Sequence, residues 1–286
     1  MNTKSISVKI IIFGLIGALG GTVGELISQC LRLNEGGRTD IETVIYMAAE
    51  AALFCLGVSV GLLIAQSIYL KKRLIPKSLI KTAVTGIRLG AAAGIIAQMV
   101  FFVTYDFLKM AKNISSIISS VLCWGIIGCG LGWGVSLFVP NYPTKRAMAA
   151  GFLGGLIGGA IFMTTLSLLP NKATGRIVGI IALGFFIGLT ISCIEETLRK
   201  EWLTVIGGKN ERKTISLGQK PLVFGSSPEA DIYLSNEPPV RATVLIENSS
   251  IVTYDKTTNQ RRELRNGDRV DLGKVSFVVN TTKAQL

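Results

Sequence analysis

Residues 175–202 read GRIVGIIALGFFIGLTISCIEETLRKEW, and the fold turns on this stretch. Ile177 to Ile194 carry no charge, which predicts a helix able to cross the hydrocarbon core of a bilayer. Glu195, Glu196, Arg199 and Lys200 then close the run. Beyond Trp202 the texture changes to short alternating segments. A membrane-spanning part therefore meets a part of another class at about residue 200.

Working back towards the N-terminus, five more apolar runs have the same character, at about 8–31, 43–70, 79–105, 114–139 and 147–169. The first is too long for a signal peptide and lacks a small-residue cleavage site, so it is read as a helix. The connections differ in charge. Lys4, Lys9, Lys71, Lys72, Arg73, Lys77, Lys81, Lys145, Arg146, Arg199 and Lys200 fall on one side, against Arg32, Arg38, Lys109, Lys112, Lys172 and Arg176 on the other. Lys and Arg are retained on the cytoplasmic side, so the asymmetry predicts a multi-pass cell-membrane protein with both termini cytoplasmic.

Composition agrees. The chain has 286 residues, 49% of them hydrophobic, and a mean hydropathy of +0.50, too apolar for an ordinary soluble protein. Residues 1–200 carry 18 Lys/Arg against 8 Asp/Glu, and residues 201–286 carry 12 against 10. The basic excess is thus interleaved with apolar runs, the pattern of membrane topology and not of a nucleic-acid footprint. There is no histidine, which removes His-dependent triads, general bases and metal sites. The five cysteines, Cys30, Cys55, Cys123, Cys129 and Cys193, lie in or beside apolar runs without a Cys-x-x-Cys pair, as buried hydrophobes do. No nucleophile–base pair, metal cluster or phosphate loop stands out. Neither an enzyme nor a cofactor is expected.

The apolar part shows internal similarity. Leu19-Gly20-Gly21-Thr22-Val23-Gly24 matches Leu89-Gly90-Ala91-Ala92-Ala93-Gly94 and Leu153-Gly154-Gly155-Leu156-Ile157-Gly158. The runs between them carry Gly57/Gly61, Gly128/Gly132 and Gly184/Gly188. The simplest reading is a two-helix hairpin present three times in one orientation. Small residues four apart let backbones approach closely where lipid gives helices no hydrophobic reason to associate. A glycine-lined pore is the competing reading.

Beyond residue 200, the segments Trp202–Ile206, Lys213–Leu217, Pro221–Phe224, Asp231–Leu234, Ala242–Ile246, Ile251–Tyr254, Arg269–Leu272 and Val275–Val279 read as strands. Gly207-Gly208, Gly225-Ser226-Ser227-Pro228, Asn236-Glu237-Pro238-Pro239 and Asn266-Gly267-Asp268 separate them as turns. Many short strands at this spacing predict an all-β sandwich over residues 201–286.

The order of these pieces resembles a forkhead-associated (FHA) domain. Leu222-Val223-Phe224-Gly225-Ser226-Ser227 with Asp231-Ile232-Tyr233-Leu234 is similar to that family's Ile-Gly-Arg-Ser…Asp-Ile-x-Leu segment. Leu264-Arg265-Asn266-Gly267-Asp268-Arg269-Val270-Asp271-Leu272-Gly273 is similar to its closing hairpin. A glycine-rich membrane region joined to such a domain also resembles bacterial membrane proteins with C-terminal FHA domains. The family implies recognition of phosphothreonine peptides through loop residues, which would fall at Ser226, Ser227, Arg241, Thr243 and Asn259. The match there is poor. Ser226 stands for the family's arginine, and Asn259-Gln260 for its Asn-Gly; of the Ser-Arg-x-His stretch, at Val240-Arg241-Ala242-Thr243, Arg241 alone is kept, with Arg261 and Arg262 nearby. Since phosphate is held by charge-assisted hydrogen bonds, a domain that docks protein without phosphate is expected more than a phosphopeptide receptor.

Within the apolar runs, Glu25, Glu50 and Arg88 are candidate functional residues because ionisable groups in a membrane cost several kcal/mol unless paired or hydrated. Arg88 is close enough to the cytoplasmic surface to snorkel there, and a pair with Glu25 is not expected on depth. Glu195 and Glu196 are placed in the headgroup layer. The reading that results is a six-helix membrane domain, 1–200, with a cytoplasmic FHA-like sandwich, 201–286, acting as a scaffold in signalling. Its expected partners are the lipid bilayer and a cytoplasmic protein, phosphorylated or not, with no nucleic acid, and homo-oligomerisation stays open. The alternative is a channel or transporter with a regulatory FHA-like domain.

Overall fold

The computed structural model describes residues 3–31, 39–70, 72–108, 112–207, 211–248, 250–273 and 275–282. Of the residues singled out above, Arg32, Arg38, Lys71, Lys109 and Gly208 lie outside these. Six helices come first: α1 (Thr3–Cys30), α2 (Asp40–Leu70), α3 (Pro76–Phe107), α4 (Lys112–Phe138), α5 (Thr144–Leu168) and α6 (Lys172–Thr197). All six are long and apolar enough to cross a membrane, giving a multi-pass architecture. Pro76 opens α3, where its fixed φ suits the first turn and no intrahelical N–H is lost. Asn171 caps α6, its side chain accepting from the N–H groups of Ala173 (2.9 Å) and Thr174 (3.4 Å).

Each helix packs against its neighbours in sequence, and α6 packs back on α1, so the six close into a ring. The centre is filled. Cys55, Val58 and Leu62 of α2, Ile127, Leu131 and Val135 of α4, and Leu183, Ile187 and Ile191 of α6 are all buried, at the three- and four-residue steps of one helix face. Phe54, Trp124 and Phe162 meet edge to face, with ring centroids 5.8 and 5.2 Å apart. By contrast α3 and α5 bury mostly glycine and alanine. A Cβ at Gly90 would stand 2.6 Å from Ala51 O, and one at Gly94 2.7 Å from Met47 O. Only glycine allows backbones that close. Large apolar side chains such as Leu19, Ile41, Val103 and Leu168 point outward instead, as lipid contact requires.

Nine strands follow among the described residues: β1 (Glu201–Gly207), β2 (Glu211–Ser216), β3 (Leu222–Gly225), β4 (Ile232–Tyr233), β5 (Ala242–Glu247), β6 (Ser250–Asp255), β7 (Gln260–Leu264), β8 (Arg269–Leu272) and β9 (Val275–Thr281). They form two sheets, ordered β2-β1-β9-β8 and β4-β3-β5-β6-β7, antiparallel except for the β3–β4 pair. One core joins the sheets, with Phe224 and Phe277 stacked at 5.1 Å across it. The sequence reading misses β7, because Gln260-Arg261-Arg262-Glu263 is exposed and only Leu264 is buried. An edge strand with little core contact has no alternation to read.

The β core is not closed by the β region alone. Tyr69 and Leu70, the last two residues of α2, belong to the same apolar cluster as Leu203, Ile215 and Ile232. The end of a membrane helix thus packs into the sandwich.

Candidate functional site

The site-bearing residues fall into three places: the two ends of the α1–α6 seam and one end of the second sheet. The seam sets the first two. A Cβ at Gly188 would meet Phe13, and one at Gly184 would meet Gly17, so the helices run antiparallel in close register. Carried outward, that register puts Lys9 beside Glu195 and Glu196 at one end, and Glu25 beside Arg176 at the other. Sixteen residues separate Lys9 from Glu25, roughly 24 Å along a helix. The two clusters therefore sit near opposite margins of an apolar span.

At the end nearest the sandwich, Lys9 Nζ lies 2.9 Å from Glu195 Oε2 and 2.8 Å from Glu196 Oε1. Arg199 pairs with the other oxygen of Glu196. All four side chains are buried. The Lys9 ammonium also lies 5.3 Å from the Tyr69 ring centroid and 5.7 Å from that of Phe13. From here the network enters the sandwich. Thr214 of β2 donates its N–H to Tyr69 Oη (3.1 Å), and its hydroxyl is 3.5 Å from Glu196. Two cations face two carboxylates, and the cluster ties α1, α2, α6 and β2 together. Glu195 and Glu196 are thus buried against α1 and β2. Burial of an acidic pair at the end of an apolar run requires cations, and one comes from the start of the chain.

Three further contacts hold the sandwich. Asn141, between α4 and α5, donates to Lys220 O (3.0 Å) and accepts from Lys220 N (3.1 Å), as a strand neighbour would. Lys72 pairs with Asp231 at 3.3 Å, and the Arg73 guanidinium lies 5.0 Å from the Tyr233 ring. Within the helical part, Tyr142 donates to Ile191 O of α6 at 3.0 Å, and burial pushes its phenol well above the ordinary range.

At the far end, Arg176 Nε donates to Glu25 Oε1 (3.0 Å) and Nη2 to Glu25 Oε2 (3.4 Å), while Nη2 also pairs with Glu50. Gln29 donates to Glu25 Oε1 at 2.9 Å. Glu25 and Glu50 are both buried and share one cation. Sequence reasoning assigned Arg176 to the outer loop. The missed signal is its place one turn inside α6, where the positive end of a helix disfavours a cation without carboxylate partners. Arg88 joins neither cluster. It is exposed on the outer face of α3, consistent with reaching the headgroups.

In the sandwich, Phe224 pairs with Ala242, Ala242 with Asp255, and Asp255 with Gln260, so one row of the sheet ends in the loops that carry Ser226, Ser227, Arg241 and Asn259. The four are brought to one end. Ser226 N and Ser227 N donate to Pro238 O and Pro239 O, stapling two of the loops, and a Cβ at Gly225 would collide with Pro239 O. Asn259 takes a positive φ of 53°. Thr243 lies within β5, opposite Val223 and Tyr254, one step into the sheet. Arg241 is engaged: it pairs with Glu237 at 3.2 Å and with Asp255. Burial tends to raise the Asp255 carboxyl. The N–H groups of Thr258 and Thr257 and the Arg241 guanidinium outweigh it and hold the group below the usual carboxylate range. Arg261 is half exposed and faces Glu247 and Glu263.

Compared with protein-family models and with curated proteins, the chain matches no family and no relative.

Proposed function

We propose that this is a membrane-anchored recognition or scaffold protein of a signalling system, with an FHA-like sandwich that docks a cytoplasmic protein without depending on phosphothreonine. One observation carries the reading. The loops with Ser226, Ser227 and Asn259 gather at one end of the sheet, while Arg241, the cation that the resemblance singles out, is held by Glu237 and Asp255. A phosphate would have to displace two carboxylates from it and find its other donors elsewhere. Loops gathered at one end and an arginine already engaged by carboxylates support docking without phosphate.

The same reading takes the helical part as an anchor built from a triplicated hairpin, with glycine strips as packing surfaces. The apolar filling of the ring centre favours packing over conduction. The side of the ring that carries the sandwich also carries Lys72, Arg73, Lys77, Lys81, Lys145 and Arg146, so we place it in the cytoplasm. A photo-reactive residue at Ser227 or Asn259 in cells should crosslink one discrete cytoplasmic protein, and one at Trp133 on the lipid face should not. Crosslinking from Trp133 alone would overturn the docking assignment. The transport alternative draws on the buried Glu25–Arg176–Glu50 cluster; solute flux through proteoliposomes that disappears on Glu50→Gln would favour it.

A further inference from the structure

Between the α2–α3 connection and the β3–β4 segment lies a cavity of about 280 Å³. Its walls differ in character. Leu63, Leu70, Leu74 and Phe138 make an apolar side at the end of the helical ring. Lys72, Arg73, Lys77 and Lys81 bring four cations, and Glu229 and Asp231 of the sandwich supply two carboxylates. Lys72 is neutralised by Asp231, and Arg73 lies over Tyr233. Lys77 and Lys81 stand one turn apart on α3, both exposed, and neither has an ion-pair partner among the described residues. One more group is unaccounted for. Gln66 lines the same cavity, and its Oε1 is buried without a hydrogen-bond partner among the described residues. A buried acceptor without a donor is unfavourable.

Each feature narrows the ligand. Unpaired cations on adjacent turns call for an anion with several acceptor oxygens. The apolar wall, continuous with the membrane-facing helices, calls for a hydrocarbon portion. The orphaned acceptor calls for a donor such as a hydroxyl. We infer that this cavity seats an anionic phospholipid whose phosphate lies between Lys77 and Lys81 and whose hydroxyl-bearing headgroup reaches Gln66. Free phosphate shares the first requirement but not the other two. Topogenic lysines serve orientation wherever they stand along a loop. These converge on one cavity, and that convergence goes beyond orientation. The seat also borders the β3–β4 segment, so an occupied cavity touches both the membrane part and the sandwich.

The test uses the full chain in neutral detergent, with thermal melting followed against short-chain phosphatidylglycerol, phosphatidylcholine of equal chain length, and inorganic phosphate. Phosphatidylglycerol should reach its half-maximal shift at a concentration at least about tenfold below phosphatidylcholine, or about 1.4 kcal/mol. Lys77→Gln with Lys81→Gln should raise that concentration about tenfold, while Lys145→Gln with Lys220→Gln, exposed at the same end, should leave it unchanged. Glu229→Gln removes a carboxylate from the rim and should tighten binding several-fold, a gain that misfolding cannot imitate. Equal shifts with phosphatidylcholine would overturn the inference, as would inorganic phosphate acting at the same concentration. Equal weakening by the Lys145/Lys220 pair would reduce the effect to diffuse surface charge and overturn it too.

Discussion

The two buried ion clusters share one helix seam and differ in what they hold. Lys9, Arg199, Glu195 and Glu196 balance in charge and reach through Tyr69 and Thr214 into the sandwich. Arg176, Glu25 and Glu50 set one cation between two carboxylates and touch helices alone. Burying ions is costly, and such a cluster gives little net stability compared with apolar packing. Its value lies in specificity: an ion at a fixed depth can be satisfied only in one register. The first cluster fixes the sandwich on the ring, and the second fixes α1, α2 and α6 against one another. The contrast teaches that the boundary at residue 200 divides the sequence but not the energetics.

The comparison can be broken most severely at Lys9. Lys9→Met leaves Glu195 and Glu196 buried and short of a cation, a change that costs about 3–5 kcal/mol. The melting temperature in detergent should fall sharply, and limited proteolysis should cut near residues 198–201. Combining Lys9→Met with Glu195→Gln should recover much of the loss. If Lys9→Met melts like the wild type, the cluster holds nothing. Arg176→Met should cost a comparable amount, because Glu25 and Glu50, 2% and 9% exposed, lose the one cation they share. Here the 198–201 junction should stay protected. Equal proteolytic sensitivity in both variants would erase the distinction between the two ends.

Smaller effects sharpen the account. Gly90→Leu forces a branched side chain against Ala51 and Cys55, and overpacking of this kind costs about 1–3 kcal/mol. Unchanged melting would mean that α3 can move away from α2. Tyr69→Phe removes the acceptor for Thr214 N–H and should cost about 1 kcal/mol, read as a lower melting point of the sandwich in the full chain. The smallest effect is at Asp255. Its folded carboxyl is held below its ordinary value of about 3.9, so its stabilisation is present above that value and is lost as the pH falls through the folded one. The melting difference between wild type and Asp255→Asn should be constant from pH 8 to pH 5, begin to shrink near pH 4, and vanish only once the pH has fallen below the lowered folded value. A difference that persists in acid would mean that the charge of Asp255 is not what holds Arg241.

Much of this architecture was legible in the residues. Six helices and a two-sheet β region follow from run length and alternation, since a bilayer and a sandwich each impose a strict period. The edge strand β7 was not legible, because Gln260 to Glu263 face water and carry no alternation. Nor was the packing of Tyr69 and Leu70 into the β core, which reads in the sequence as the end of an apolar run. Site residues divide the same way. Glu25 and Glu50 announced themselves by being charged in apolar surroundings, and Arg241 by resemblance. Their partners Arg176, Glu237 and Asp255 lie in stretches where a charge is unremarkable, and only the register of packed elements selects them. Lys9 is the sharpest case: it looked like a topogenic lysine and is a buried ion 186 and 187 residues away from its partners.

The occupied state of Arg241 is the centre of the functional reading, and calorimetry tests it directly. The full chain in detergent is titrated with a degenerate phosphothreonine peptide library, alongside Arg241→Ala. The account predicts binding no tighter than the high micromolar range, about −5.5 kcal/mol or weaker, with no change on Arg241→Ala. Low-micromolar binding that is lost in Arg241→Ala would show the guanidinium leaving Glu237 and Asp255 for phosphate, and would contradict it.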